Sequence, residues 1–170
     1  MADKYIQQVA GALSEKEALV ASAGAADSGK IVALDASGKI DSTMLPVTEG
    51  VDTLTITVSD AAGLAAGDLV NIFDSTGPKV RRADASNGRA AHGYVVTAYA
   101  DAASAIVHKE GTNDQLTGMT PGAVQYLSGT TPGALTETAP VTTGQIVQRV
   151  GLAFSATEMD WEPALPITLA

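Results

Sequence analysis

The chain lacks cysteine altogether and is poor in aromatic and charged side chains. Its 170 residues include no Cys, 4% aromatic residues and 17% charged residues. Disulfides, zinc–thiolate sites and cysteine nucleophiles are therefore excluded. No apolar run approaches the roughly 20 residues that a membrane-spanning helix requires, so we expect no membrane partner. Residues 1–4 lack the features of a signal peptide, and we expect the mature protein to begin at Met1.

Apolar residues nevertheless make up 45% of the chain, which is enough for a core built from Ala, Val, Leu and Ile. Nineteen acidic residues face ten basic ones, so the net charge is −9. Such a charge disfavours nucleic acid as a partner, because phosphate binding requires a cationic surface. The length suits one domain with an appended segment. We expect an N-terminal arm and connector over residues 1–50 and a β domain over residues 51–170.

Residues 1–20 contain the only helical pattern in the sequence. Tyr5 or Ile6, Val9 and Leu13 recur at three- to four-residue spacing and would form one apolar stripe, with Ala18 and Leu19 following. We therefore predict a short helical or extended arm, broken at Gly11. A helix this short needs something to pack against. It either covers the chain's own core or docks on a partner.

Residues 21–48 are rich in Ala, Gly, Ser and Asp and predict a connector, folded as a small hairpin or an extended strap and ended by Pro46. Residues 24–30 match the phosphate-loop pattern G-x-x-x-x-G-K through Gly24, Gly29 and Lys30. Ile31 occupies the position where Ser or Thr would hold magnesium, and the following residues favour a strand. We therefore interpret the match as a coincidence and expect no nucleotide or other cofactor.

From residue 53 onward the pattern becomes that of a β domain. Residues 53–58 alternate polar and apolar side chains, as a half-buried strand does. Short strands separated by Gly, Pro, Asn and Asp predict a small β-barrel or β-sandwich. The predicted strands are 53–58, 69–73, 80–82, 94–99, 105–108, 124–127, 134–136, 146–154 and 167–169.

Similar phrases in the two halves of this region indicate an internal duplication. Residues 67–72 align with 122–127, and residues 93–98 align with 151–156 at a slightly larger offset. Each half would contribute a strand, a tight turn, a second strand, a polar loop and a long strand. Two such halves could close into one barrel without exposed edges. Chance similarity between glycine-rich β sequences is the alternative.

No arrangement of residues in the sequence predicts catalysis or metal binding. His92 and His108 have no carboxylate at a recognised metal-ligand spacing, and we expect them at the surface or at a strand edge. The G-x-S-x-G motif of serine hydrolases is missing. The acidic residues are scattered, and a glycosidase pair among them cannot be identified from sequence. We therefore expect a protein that is not an enzyme.

One local cluster of charge departs from the acidic average. Lys79, Arg81, Arg82 and Arg89 lie within eleven positions. If Val80 points inward, strand alternation places Lys79 and Arg81 on the outward face. The cluster would serve solubility or intrachain pairing, or it would bind an acidic partner or a neighbouring subunit.

Three passages together resemble the capsid decoration, or cement, proteins of bacteriophages. The first is AGAADSGKIVALDASGKID at 23–41 with MLP at 44–46, which is similar to the connector of head-decoration and fibre proteins. The second is LAAGDLVN at 64–71 with KVRRA at 79–83 and HGYV at 92–95. The third is GAVQYL at 122–127 through VQRVGLA at 147–153. None of them is a catalytic signature, and the resemblance depends on their combined order.

This resemblance implies a structural virion protein on the outside of an icosahedral shell, commonly as a homotrimer, with the major capsid protein as its partner. A surface rich in Thr, Ser, Ala and Gly suits side-by-side packing, where charged groups are costly to desolvate. Many copies on a symmetric shell would gain strength through multivalency. The alternative is a head- or tail-fibre module that binds host glycan. The candidate interface residues are Tyr5, Ile6, Val9, Leu13, Lys79, Arg81, Arg82 and Arg89.

Overall fold

The computed structural model describes residues 4–45 and 52–170 and confirms the prediction of a mainly β protein. The chain divides into two compact units, Met1–Glu49 and Gly50–Ala170, which we call the arm and the β domain. Residues 1–3 of the predicted helix, and Pro46, lie outside the described residues. The described strands are β1 Lys4–Val9, β2 Ala12–Glu17, β3 Thr53–Val58, β4 Leu69–Asp74, β5 Pro78–Arg82, β6 Gly93–Tyr94, β7 Ser104–His108, β8 Thr112–Asn113, β9 Val124–Leu127, β10 Leu135–Thr136, β11 Ile146–Val147, β12 Arg149–Ala153, β13 Met159–Trp161 and β14 Ile167–Thr168.

The predicted N-terminal helix is wrong, because β1 and β2 form an antiparallel hairpin in its place. Ala10 and Gly11 form the two-residue loop, and both have positive φ, 51° and 84°. Two consecutive positive φ angles are the requirement of the type I′ turn that matches the twist of paired strands. Gly11 therefore turns the chain back on itself rather than interrupting a helix.

The remainder of the arm is held by turns and short bridges. Leu19 donates its backbone N–H to the carbonyl of Ile31 (2.8 Å) and accepts from Ala33 (2.7 Å), which pairs residues around 19 and 32 in parallel. Single-turn 3-10 helices lie at Ala25–Asp27 and Ser42–Met44. The carboxylate of Asp35 accepts the backbone N–H groups of Ser37 and Lys39 and closes a tight turn. Residues 18–45 of the arm thus form bridges, tight turns and single-turn helices, and the choice between a hairpin and a strap for the connector stays a prediction.

The first half of the β domain closes into a small barrel in the order β3-β5-β4-β6-β7. Strands β3 and β5 run parallel, and the other pairs are antiparallel. The interior is filled by aliphatic side chains contributed from alternate positions. They are Ile56, Val58, Leu64, Val70, Val80, Val95, Ala105 and Val107.

The second half forms an open five-stranded sheet in the order β10-β9-β12-β13-β8, with β11 and β14 paired separately. A second core lies against it and includes Leu69, Tyr94, Leu127, Met159 and Trp161. Leu69 and Val70 are adjacent on β4 and are both fully buried, yet they belong to different cores. Strand β4 is therefore buried on both faces, which explains why its sequence lacks polar–apolar alternation.

The two halves share one strand order, as an internal duplication requires. β4, β5, β6, β7 and β3 of the barrel occupy the same relative places as β9, β10, β12, β13 and β8 of the open sheet. Equivalent backbone hydrogen bonds recur: Gly67 donates to Val95, and Gly122 donates to Ala153, both at 2.8 Å. The expectation that the halves combine into one barrel is wrong, because the first half closes alone through the β3–β5 pair.

Several strand boundaries differ from the predicted ones. The predicted strand 94–99 is reduced to β6 plus an isolated bridge between Leu64 and Tyr99. The predicted strand 146–154 is divided into β11 and β12, with an irregular register between Arg149 and Gly151. Strands β8 and β13 were not predicted, because two or three residues are too few for a periodicity to be recognised.

Candidate functional site

The hairpin divides the four apolar arm residues between two faces. The register pairs Ile6 with Glu15 and Gln8 with Leu13, so Ile6 and Leu13 are diagonal neighbours on one face. Tyr5 and Val9 lie on the opposite face. The single stripe expected from helical spacing therefore does not exist.

The arm exposes its apolar side chains instead of burying them. No residue in the described range 4–45 is buried, and Ile6 and Leu13 are each 72% exposed. A further set of large apolar side chains in the arm is at least two-fifths exposed: Val9, Val20, Ile31, Val32, Leu34, Ile40 and Leu45. An isolated two-stranded hairpin is at best marginally stable in water. The arm therefore offers an apolar surface whose burial would stabilise it.

The residues of the phosphate-loop pattern, 24–30, make hydrogen bonds to one another and to Ala23. Asp27 accepts the backbone N–H of Ala23 (2.6 Å), and its other carboxylate oxygen binds the ammonium of Lys30 (2.7 Å). The hydrogen bond from Lys30, followed by that from Ala23, lowers the pKa of Asp27. Residues after Lys30 enter the bridge with Leu19 rather than a helix. The pattern thus lacks the helix N-terminus to which a phosphate would bind.

Of the four cationic residues predicted as an interface, Arg82 is used within the chain. Its guanidinium donates to both carboxylate oxygens of Asp60, through Nε (3.0 Å) and Nη2 (3.1 Å), and its backbone N–H also binds Asp60. Burial raises the pKa of Asp60, but the hydrogen bonds from Arg82 and Ala62 outweigh this effect and leave the pKa lowered. This pair fixes β5 to the turn that follows β3, so Arg82 has a structural role.

Lys79, Arg81 and Arg89 have no carboxylate partner among the described residues. Val80 is fully buried, which confirms the alternation that places Lys79 and Arg81 on the outward face. Across the β4–β5 pair, Lys79 lies opposite Phe73 and Arg81 lies opposite Asn71. We call the surface formed by Lys79, Arg81, Arg89, Phe73 and Asn71 the cationic face.

Phe73 and Asn71 orient Arg81, and the sequence did not indicate either contact. The guanidinium carbon of Arg81 lies 4.0 Å from the centre of the Phe73 ring, and Nε donates to Oδ1 of Asn71 (3.1 Å). Asn71 is buried and donates in turn to the carbonyl of Ala90 (2.8 Å), beside Arg89. Asn71 and Phe73 alternate on β4, but only the β4–β5 register shows that they face Arg81.

The two histidines lie in separate surroundings. His92 is exposed, and its Nδ1 accepts the backbone N–H of Ile72 (3.0 Å). The ring of His108 stacks on that of Tyr94 at 5.3 Å, and burial lowers the pKa of His108. Burial, followed by the charges of Asp114 and Asp160, raises the pKa of Tyr94 to about 12. Within the described ranges, no three His, Asp or Glu side chains are placed to hold a metal ion.

An open pocket in the β domain brings two carboxylates to one region. It is lined in part by Asp68, Gln115, Gln125 and Glu137. Asp68 accepts the backbone N–H of Ala65 (2.8 Å), and burial raises the pKa of Asp68. Glu137 accepts the backbone N–H of Thr120 (2.5 Å), which lowers the pKa of Glu137. Asp68 therefore closes the turn that leads into β4, whereas Glu137 links the segment after β10 to the segment before β9.

The described residues contain no helix that is both long and apolar enough to cross a membrane. Comparison with known proteins finds no matching family model, no matching curated protein and no matching solved structure.

Proposed function

We propose that this chain is a non-enzymatic structural protein of a bacteriophage virion, which decorates and stabilises the outer surface of the capsid as a homotrimer. Its partners in this proposal are the major capsid protein and other copies of itself. The proposal combines the resemblance of residues 23–46, 64–95 and 122–153 to capsid decoration proteins with the exposure of the arm. That exposure is the observation on which the proposal depends.

The physical argument begins with the cost of ordering the arm. Fixing each residue costs about 1–2 kcal/mol of conformational entropy, which a folded segment recovers by burying apolar surface. The arm buries no described residue, while Ile6 and Leu13 remain 72% exposed. Burying one such side chain on a partner would contribute about 1–2 kcal/mol. Repetition of this contact on a symmetric shell multiplies a weak interaction into a stable one.

The decisive experiment measures oligomeric state and shell binding together. Light scattering should give a trimer, and cosedimentation should show binding to expanded shells of the phage that encodes the chain, with weaker binding to unexpanded shells. Ile6→Thr with Leu13→Thr should weaken shell binding at least tenfold, because it removes both apolar side chains from one hairpin face. Gln8→Thr changes a polar residue on that same face and should leave binding unchanged. A monomer that does not bind expanded shells would refute the proposal.

The alternative, a fibre module that binds host glycan, lacks a supporting observation. Glycan sites pair carboxamide groups with aromatic platforms on which sugar rings stack. Gln115 and Gln125 line the open pocket, but the described residues around it include no aromatic side chain. Binding on a glycan array that is lost in Gln125→Ala would favour the fibre module instead.

A further inference from the structure

The β domain leaves one group of cations without partners, and all of them lie on the cationic face. In residues 52–170, the lysines and arginines found in ion pairs are Arg82, Lys109 and Arg149. The others in that range are Lys79, Arg81 and Arg89. The chain as a whole carries a net charge of −9, so three unpaired cations on one face make the local charge there positive.

Arg81 is held in a fixed orientation with most of its donors free. The Phe73 ring lies against one side of the guanidinium at 4.0 Å, and Asn71 accepts only the Nε–H. The N–H groups of both terminal nitrogens have no protein acceptor among the described residues. Asn71 is itself buried and anchored to Ala90, so the orientation is fixed before any ligand arrives. A planar fork of this kind matches a carboxylate.

Nearby acidic groups do not neutralise the face. Asp60, whose charge acts on Arg81, already accepts hydrogen bonds from the side chain and backbone of Arg82 and from Ala62. Burial, and then the like charge of Arg89, lowers the pKa of Arg81. The charge of Arg81 is therefore uncompensated, and an incoming anion would gain more here than at a paired arginine.

We infer that the cationic face binds an acidic segment of a partner protein, with a carboxylate on the free edge of Arg81, further carboxylates beside Lys79 and Arg89, and an apolar side chain against the partly exposed Phe73 ring. The site is small, and the rest of the protein is acidic. A long polyanion such as nucleic acid would extend beyond the three cations and be repelled within a Debye length of about 8–10 Å. A short acidic peptide segment avoids that repulsion.

This inference goes beyond the proposed function and is tested without any shell. The full-length ¹⁵N-labelled protein is titrated by NMR with an eight-residue peptide of four glutamates, two leucines and two glycines. The control peptide has glutamine in place of glutamate. Saturable shifts should be confined to backbone amides of residues 71–90 and the Nε–H of Arg81, and the glutamine peptide should produce none. Shifts elsewhere, or equal binding of both peptides, would overturn the inference.

Variants then identify the groups responsible. Arg81→Gln should weaken the peptide affinity about tenfold, the scale of one charge-assisted pair. Arg81→Lys keeps the charge but loses the planar fork and should weaken affinity by a smaller factor. The matched control is Lys39→Gln, which removes an equal charge from an arm lysine without an ion pair and should change nothing. If Arg81→Gln fails to fold, Lys79→Gln at the strand surface replaces it, with an expected loss of about threefold.

Two further ligands test the choice of partner. Inorganic phosphate and a twelve-nucleotide single-stranded DNA are titrated under the same conditions. Both should bind more weakly than the glutamate peptide. If the DNA shifts the same residues with an affinity equal to or higher than that of the peptide, the assignment to a protein partner is wrong.

Discussion

A close approach between strands makes Gly151 the most sensitive test of the β domain. In β12, Gly151 lies opposite Trp161 of β13. A Cβ atom added at this position would overlap the backbone carbonyl oxygen of Asp160 and would lie 2.9 Å from both Cγ and Sδ of Met159. The carbonyl belongs to the paired strand and cannot rotate away. Gly151→Ala therefore requires β13 to move away from β12.

The magnitude follows from what that movement disrupts. Met159 is fully buried and Trp161 is nearly so, and both belong to the second core. Overpacking alone costs about 1–3 kcal/mol, and loosening the strand pair adds to that, so we expect a loss of about 3–4 kcal/mol in the free energy of unfolding. At roughly 2–4 °C per kcal/mol for a chain of this size, Tm should fall by about 10 °C.

Gly144→Ala is the matched control for Gly151→Ala. Gly144 has a φ of +84° and no atom within 4 Å of the added Cβ, so Ala there meets backbone strain without a steric clash. That strain costs about 1–2 kcal/mol. Gly93 occupies the equivalent place in the first half, where a Cβ would lie 2.6 Å from the carbonyl oxygen of His108, so Gly93→Ala should resemble Gly151→Ala. Urea denaturation and calorimetry measure these losses. If Gly151→Ala costs no more than Gly144→Ala, the steric argument is wrong.

Four other predictions concern the same molecule. Asp60→Asn should cost about 2 kcal/mol at pH 7 by breaking the paired hydrogen bonds from Arg82; because the pKa of Asp60 is lowered, this loss should shrink in urea titrations as pH falls below about 4. Asp68→Asn should instead preserve or raise Tm at pH 7, since burial raises the pKa of Asp68 and its charged form is disfavoured. Equal losses of stability in Asp60→Asn and Asp68→Asn would contradict the conclusion that only the charge of Asp60 stabilises the fold. Leu127→Ala at a fully buried position should cost about 3 kcal/mol, whereas Leu165→Ala, at a position 89% exposed, should cost close to nothing by thermal denaturation. Trypsin should cleave the free protein at the arm lysines before it cleaves the β domain, because the described arm buries no residue; prior cleavage at Arg81, detected by mass spectrometry, would show that the arm is the more stable unit.

The duplication shows how local sequence encodes a topology. Gly67 and Gly122 both have positive φ, 88° and 82°, and each is the third residue of the turn that leads into β4 or β9. Their spacing of 55 positions was visible in the sequence. The closure of the first half was not, because it depends on the parallel pairing of β3 with β5, two strands that are separated by β4 along the chain. Pairing partners distant in sequence leave no periodic signal.

The arm shows the opposite failure, in which a local pattern was misinterpreted. Tyr5, Val9 and Leu13 satisfy helical spacing, but Ala10-Gly11 also satisfies the requirement of a two-residue hairpin turn. Over so short a segment the two patterns cannot be separated by apolar positions alone. The glycine with β-branched and aromatic residues nearby was the available signal for the hairpin.

The amino-acid sequence by itself determined the mainly β fold, the outward direction of Lys79 and Arg81, and the cationic cluster within an acidic chain, because alternation and turn residues act over a few neighbouring positions. Only the tertiary structure decided that Arg82 forms an ion pair with Asp60, whereas Arg81 stacks on Phe73 and keeps N–H groups that no described residue accepts. These two arginines are adjacent in the chain and chemically identical. Alternation along β5 places them on opposite faces, and the tertiary fold brings Asp60 to Arg82 and Phe73 to Arg81, which gives one arginine a structural role and leaves the other available to a partner.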